Sequence, residues 1–165
     1  MRPLDYPDIH FLNAASGWAE LGRTPEAREE LCKISRALAG HPDVLEVHWQ
    51  ICAQEKRWQS ALQVARAVIK LAPERSSGWI SQSYSLHEMN RTLEAWNNLL
   101  PVASKFPEIS TIPYNLACYA CRLGDLEQAQ SWLEKAIRVQ GKEKIRALAL
   151  RDQDLKPLWD KIAKL

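Results

Sequence analysis

The stretch Leu123-Gly124-Asp125-Leu126-Glu127-Gln128-Ala129 decides the fold, because its pattern returns along the chain at a fixed interval. Ala27, Ala61, Ala95 and Ala129 stand 34 residues apart, and so do Pro73 and Pro107. Four positions after each alanine come Leu31, Ala65, Leu99 and Leu133, and three further on come Ile34, Val68, Val102 and Ala136. Five positions before each alanine lies a turn column of Gly22, Lys56, Asn90 and Gly124. A period of this length marks a repeat architecture, in which each unit hides its apolar face against the next.

Each unit reads as two helices. Small alanines let two helix backbones approach closely, and the larger apolar columns fill the groove between them. Gly22, Asn90 and Gly124 suit the left-handed residue that ends a first helix, whereas Lys56 is a departure at that column. Thr24, followed by Pro25, and Thr92 are the expected N-caps of second helices. Pro42, Pro73, Pro107 and Pro113 punctuate the joins. The segmentation is an extension at 1–7, repeats at 8–41, 42–75, 76–109 and 110–143, and a helical cap at 144–165. In that cap Leu155, Leu158, Trp159 and Ile162 form one apolar stripe, with Asp154 expected to cap the helix ahead of Pro157.

Composition narrows the function classes. The 165 residues carry 22 Lys+Arg against 20 Asp+Glu, a formal +2, so no global field favours nucleic acid or an acidic membrane surface. No apolar run is long enough to span a bilayer, and Met1-Arg2-Pro3-Leu4-Asp5 lacks the apolar core of a signal peptide. Cys32, Cys52, Cys118 and Cys121 are irregularly spaced, so a reducing cytoplasm is expected rather than a disulfide framework.

The 34-residue helix-turn-helix unit resembles the tetratricopeptide repeat (TPR) family, best in Tyr114-Asn115-Leu116-Ala117-Cys118-Tyr119 and Trp132-Leu133-Glu134-Lys135-Ala136-Ile137 around the opening stretch. Lys56, Ala39 and Gly141 depart from the family pattern. The tail Arg146-Ala147-Leu148 to Asp152-Gln153-Asp154-Leu155-Lys156-Pro157-Leu158-Trp159 looks like the terminating segment of bacterial TPR groups. The resemblance implies an all-α, right-handed solenoid of about four repeats with a C-terminal capping segment. It also implies a non-enzymatic scaffold that holds a protein or peptide segment in a concave groove lined by first helices. Carried over by position, the groove residues are Leu12, Glu20, Glu46, Gln50, Ile80, Tyr84, His87, Glu88, Tyr114, Cys118 and Arg122. Asp43 adds a further acid, so Glu20, Asp43, Glu46 and Glu88 face Arg122 alone. The chaperone-tail clamp known in the family is missing: its positions hold Leu12, Ser16, Val47 and then Ser77 with Ser81 or Thr111 with Asn115. An acidic groove repels acidic peptides and tolerates a basic or apolar segment, with Tyr84 and Tyr114 as anchors and Glu46 and Glu88 as charge partners.

Catalytic chemistry finds no constellation. Cys118-x-x-Cys121 lies within a helix and has no second ligand pair at zinc spacing, so the two thiols are expected to be structural or groove-lining. Cys32 and Cys52 are expected in the core. His10, His41, His48 and His87 form no HExxH, and no glycine-rich phosphate loop exists. No cofactor and no metal are expected, and no nucleophile, base and oxyanion donor assemble. Trp18, Trp49, Trp58 and Trp79 are expected to pack between helices, while Trp96 and Trp132 are candidate anchors if exposed. Two rival classes are a TPR chaperone of bacterial secretion and an RNA-associated helical repeat. Against the RNA class stand the period of 34 rather than 35 and the acidic groove. Leu4, Tyr6, Ile9 and Phe11 at the N-terminal end are expected either to fold over as a cap or to dock a twin, giving a homodimer.

Overall fold

The computed structural model describes residues 4–164, and every regular element among them is helical. Four helix pairs come first: α1 (Asp8–Glu20) with α2 (Thr24–Lys33), α3 (Pro42–Gln54) with α4 (Trp58–Leu71), α5 (Ser76–Glu88) with α6 (Thr92–Leu99), and α7 (Thr111–Arg122) with α8 (Leu126–Gln140). They are followed by α9 (Lys142–Ala149), a 3-10 helix (Gln153–Leu158) and α10 (Trp159–Ala163). The chain divides into two compact units between Ser85 and Leu86, inside α5.

All four residues of the turn column are left-handed: Gly22 at φ 73°, Lys56 at 54°, Asn90 at 59° and Gly124 at 88°. At each, two backbone bonds close the preceding helix. Around Gly22 they run from the amide of Gly22 to the Ala19 carbonyl (2.9 Å) and from that of Arg23 to Trp18 (2.8 Å). Around Lys56 they run to Ala53 (3.0 Å) and, from Arg57, to Cys52 (2.8 Å). This is the double bond that satisfies orphan carbonyls at a helix end. Lys56 therefore adopts the conformation of the column although its side chain disfavours it.

In the first unit, Leu12, Ala15, Ala19, Ala27, Ile34, Leu38, Val44, Val47 and Ile51 form a core, with Leu4, Phe11 and Leu31 packed against it. Leu4 and Phe11 thus close the N-terminal end of this unit, while Tyr6 projects from it, 85% exposed. The periodic alanines Ala27 and Ala61 are wholly buried. Among the glycines Gly78 marks a close backbone approach: a Cβ there would meet Ile69 Cγ1 at 3.0 Å and the Ile69 amide nitrogen at 3.1 Å. In the second unit Leu99, Val102, Ile112, Leu116, Tyr119, Ala129, Leu133 and Ile145 are buried, together with Leu155, Leu158 and Ile162 of the terminal segment.

Several expectations are corrected. Neither α2 nor α6 has a side-chain N-cap. The Thr92 hydroxyl instead meets the His87 ring at 3.0 Å, so a neighbouring side chain outcompetes the helix amides there. The caps that form are His41, whose Nδ1 accepts from the Asp43 amide, and Asp125, which accepts from that of Gln128. The second helix of the third pair stops at Leu99 and continues as a 3-10 helix (Leu100–Lys105), because Pro101 lacks an N–H and crowds the carbonyl four residues back. The C-terminal segment is not one helix, and its 3-10 turn is capped by Asp152, which accepts from the Asp154 amide at 3.0 Å; Asp154 itself points elsewhere. Cys32 is exposed rather than core. It shares a repeat column with Arg66, Leu100 and Glu134, all of them exposed. Trp18 is also exposed, at 36%, with the Arg23 guanidinium 5.8 Å from its ring.

Candidate functional site

In the first unit, first-helix residues contribute to one polar cluster and one aromatic cluster. Arg75 pairs with Asp43 and reaches Glu46 at 3.4 Å, and the Ser77 hydroxyl donates to Glu46 at 2.5 Å. Two of the four expected groove acids therefore already face an arginine. Arg75 stands at a repeat join rather than in a first-helix column, so a tally by column passes over it. Beside this cluster the Tyr84 ring is held edge-on by Trp49 (6.3 Å, 74°) and Trp58 (5.7 Å, 69°). The Trp49 indole donates to the Ser85 hydroxyl at 3.0 Å, which fixes one wall of the arrangement. Tyr84 keeps 37% of its surface exposed. Edge-to-face packing of this kind orients a ring while leaving area for a partner.

The second unit carries a denser polar site, built where α7 meets the terminal segment. The Asp152 carboxylate accepts from the Tyr114 hydroxyl at 2.9 Å and from the Cys118 thiol at 3.5 Å. Burial pushes both the Tyr114 hydroxyl and the Cys118 thiol well above their ordinary values, with the nearby carboxylates adding to it, so both stay protonated donors. Two residues on, the Asp154 carboxylate lies 2.8 Å from His87 Nε2 and 3.5 Å from Arg122 Nε. A carboxylate can only accept, so Nε2 carries a proton toward it, and Nδ1 lies 3.0 Å from the Thr92 hydroxyl on the other side of the ring. The hydrogen bond from His87 holds the Asp154 carboxyl below its usual value against the opposing effect of burial. The His87 ring also lies 4.8 Å from that of Tyr119.

The sequence-derived residues therefore separate. Leu12 is buried in the core of the first unit, where the small Ala15 and Ala19 draw α1 against its neighbours, and it is not an accessible groove position. Glu20 and Glu88 are exposed, while Gln50 and Ile80 are half-buried. His87, Tyr114, Cys118 and Arg122 are brought together, but around two aspartates of the same chain. Asp152 is legible in the sequence: it falls 34 residues after Cys118, in the same repeat column. Asp154 reads there only as a helix cap. Among the described residues no group of three or more His, Cys, Asp or Glu is placed to hold a metal ion.

These paired helices, with their left-handed turns and buried alanine column, define a tetratricopeptide-type helical-repeat fold. The chain is similar over nearly its whole length to solved structures of that type. One is TTC0263, a thermophilic TPR protein of Thermus thermophilus, at 14% identity and TM-score 0.72, covering 96% of this chain and 100% of that one. Another is MamA (41-end) from Desulfovibrio magneticus RS-1, at 19% identity and TM-score 0.72, covering 99% and 97%. A further MamA structure, from AMB-1, matches at 18% identity and TM-score 0.66 over 98% and 99%. No protein-family profile and no curated protein matches the chain.

Proposed function

We propose that this protein is a non-enzymatic scaffold that holds a segment of a protein partner on the face presented by its first helices. The observation that carries the reading is Tyr84, exposed yet braced by Trp49 and Trp58. Aromatic rings held rigid before binding lose little entropy on contact and dominate interface energetics. In the first unit Glu20 remains an exposed acid, which suits a partner with basic as well as apolar character. Exposed, unbridged Cys32 suits a reducing cytoplasm, and similar structures from Thermus thermophilus and Desulfovibrio magneticus support a bacterial adaptor.

The test is affinity capture from the native cell with wild type and Tyr84→Ala, after circular dichroism has shown equal helix content. Loss of a defined set of captured proteins from the variant supports the reading. An identical set from both proteins overturns it.

A further inference from the structure

We propose that the face of α7 is a receptor for an acidic segment, occupied in this chain by its own Asp152–Leu158, and that a partner segment bearing two aspartates followed by leucines takes the same place by displacing it. Asp152 takes hydrogen bonds from Tyr114 and Cys118, and Asp154 takes them from His87 while facing Arg122. These four groups converge from the end of α5 and from three turns of α7, and each offers a donor or a positive charge. Behind the aspartates, Leu155 and Leu158 are buried, at 0% and 2% exposure. The recognised pattern is therefore Asp-x-Asp-Leu followed three residues later by Leu.

The segment is joined to α9 by only Leu150 and Arg151 ahead of Asp152. A short tether of that kind holds its ligand at an effective concentration on the order of millimolar. A partner must then carry the same donors' complement and bind well below that level to compete. The occupied face reverses the expectation from sequence, which had an acidic surface excluding acidic peptides. In this unit the surface is satisfied by two carboxylates, Asp152 and Asp154, and both come from the terminal segment.

The proposal deepens the scaffold reading, and the two fail separately: Tyr84→Ala tests the aromatic surface of the first unit, whereas a peptide titration tests α7. The probe is a fluorescent peptide copying residues 151–164, titrated into the full-length chain. Wild type is expected to bind it weakly, and the doubly substituted Asp152→Asn/Asp154→Asn chain about tenfold more tightly, since its own tail has lost charge-assisted bonds. A peptide with both aspartates changed to asparagine is expected to lose about tenfold on the same protein, and Tyr114→Phe in the protein to weaken the aspartate peptide. Equal binding of the two peptides, or no gain in the folded variant, overturns the proposal. So does a variant that only self-associates by light scattering without taking up peptide. Should the variant not fold, hydrogen exchange on wild type decides: excess aspartate peptide must speed exchange at residues 154–158, and unchanged protection there overturns the proposal.

Discussion

The imidazole of His87 and the carboxylate of Asp154, 67 residues apart in sequence, meet at 2.8 Å and fasten the terminal segment to the end of α5. Because His87 holds the Asp154 carboxyl below its ordinary value of 3.8, the pair adds stability that is fully present above that pH. It is lost as pH falls from 3.8 through the lower folded value. Partial exposure of Asp154 lets solvent screen the pair and reduces its contribution. Thermal melts of wild type and Asp154→Asn should differ between about pH 5 and 7, and the difference should shrink only as pH falls below 3.8 through the lower folded value. A difference that stays constant across this range would mean that the pair does not act through the charge on Asp154.

Lys56 sits left-handed at φ 54° where its column otherwise holds Gly or Asn. A side chain in that region costs roughly 1–2 kcal/mol, while glycine gives back part of the gain through the entropy of the unfolded chain. Lys56→Gly is expected to raise stability by about 0.5–1 kcal/mol, roughly 2–3 °C in Tm. Scanning calorimetry checks it, and an unchanged or lower Tm would show that Lys56 makes compensating contacts.

Gly78 gives the opposite sign. Its missing side chain lets α5 approach α4, and a methyl group there would lie 3.0–3.1 Å from Ile69 and Val68 atoms, one of them backbone. Gly78→Ala is expected to destabilise by about 1–3 kcal/mol despite the better helix propensity of alanine. Urea denaturation measures this; a stabilised variant would show that the two helices can part without loss.

The helix pairs are legible in the sequence because periodicity constrains many positions together. The turn column announces its left-handed residues, and the structure extends that to Lys56, since two backbone bonds at the helix end outweigh one side chain's preference. What escapes a reading by column is set by single contacts between distant residues. Thr92 looks like a cap in isolation, and the approach of His87 redirects its hydroxyl. Arg75 belongs to no first-helix column, so its pairing with Asp43 and Glu46 leaves no periodic trace. The candidate site is the least legible part. His87, Tyr114, Cys118 and Arg122 share one surface by position, but Asp152 and Asp154 reach them only because the helix after α8 ends at Ala149 and the chain turns onto α7.

The four cysteines should separate by reactivity. Cys32 is exposed, whereas Cys52, Cys118 and Cys121 are buried and free of disulfides. Burial also pushes the thiols of these three upward, Cys118 most strongly, so little thiolate forms at neutral pH. A thiol reagent added to native protein at about pH 8 should therefore label Cys32 rapidly and leave the other three until the chain is unfolded. Cys118 reports on the terminal segment as well, because its thiol donates to Asp152 at 3.5 Å. Asp152→Ala should open that contact and speed labelling of Cys118 relative to Cys52, which lies in the other unit and serves as the internal standard. Peptide mapping of the labelled sites reads both rates in one sample. Equal acceleration at Cys52 and Cys118 would point to general loosening of the fold rather than to release of the segment from α7.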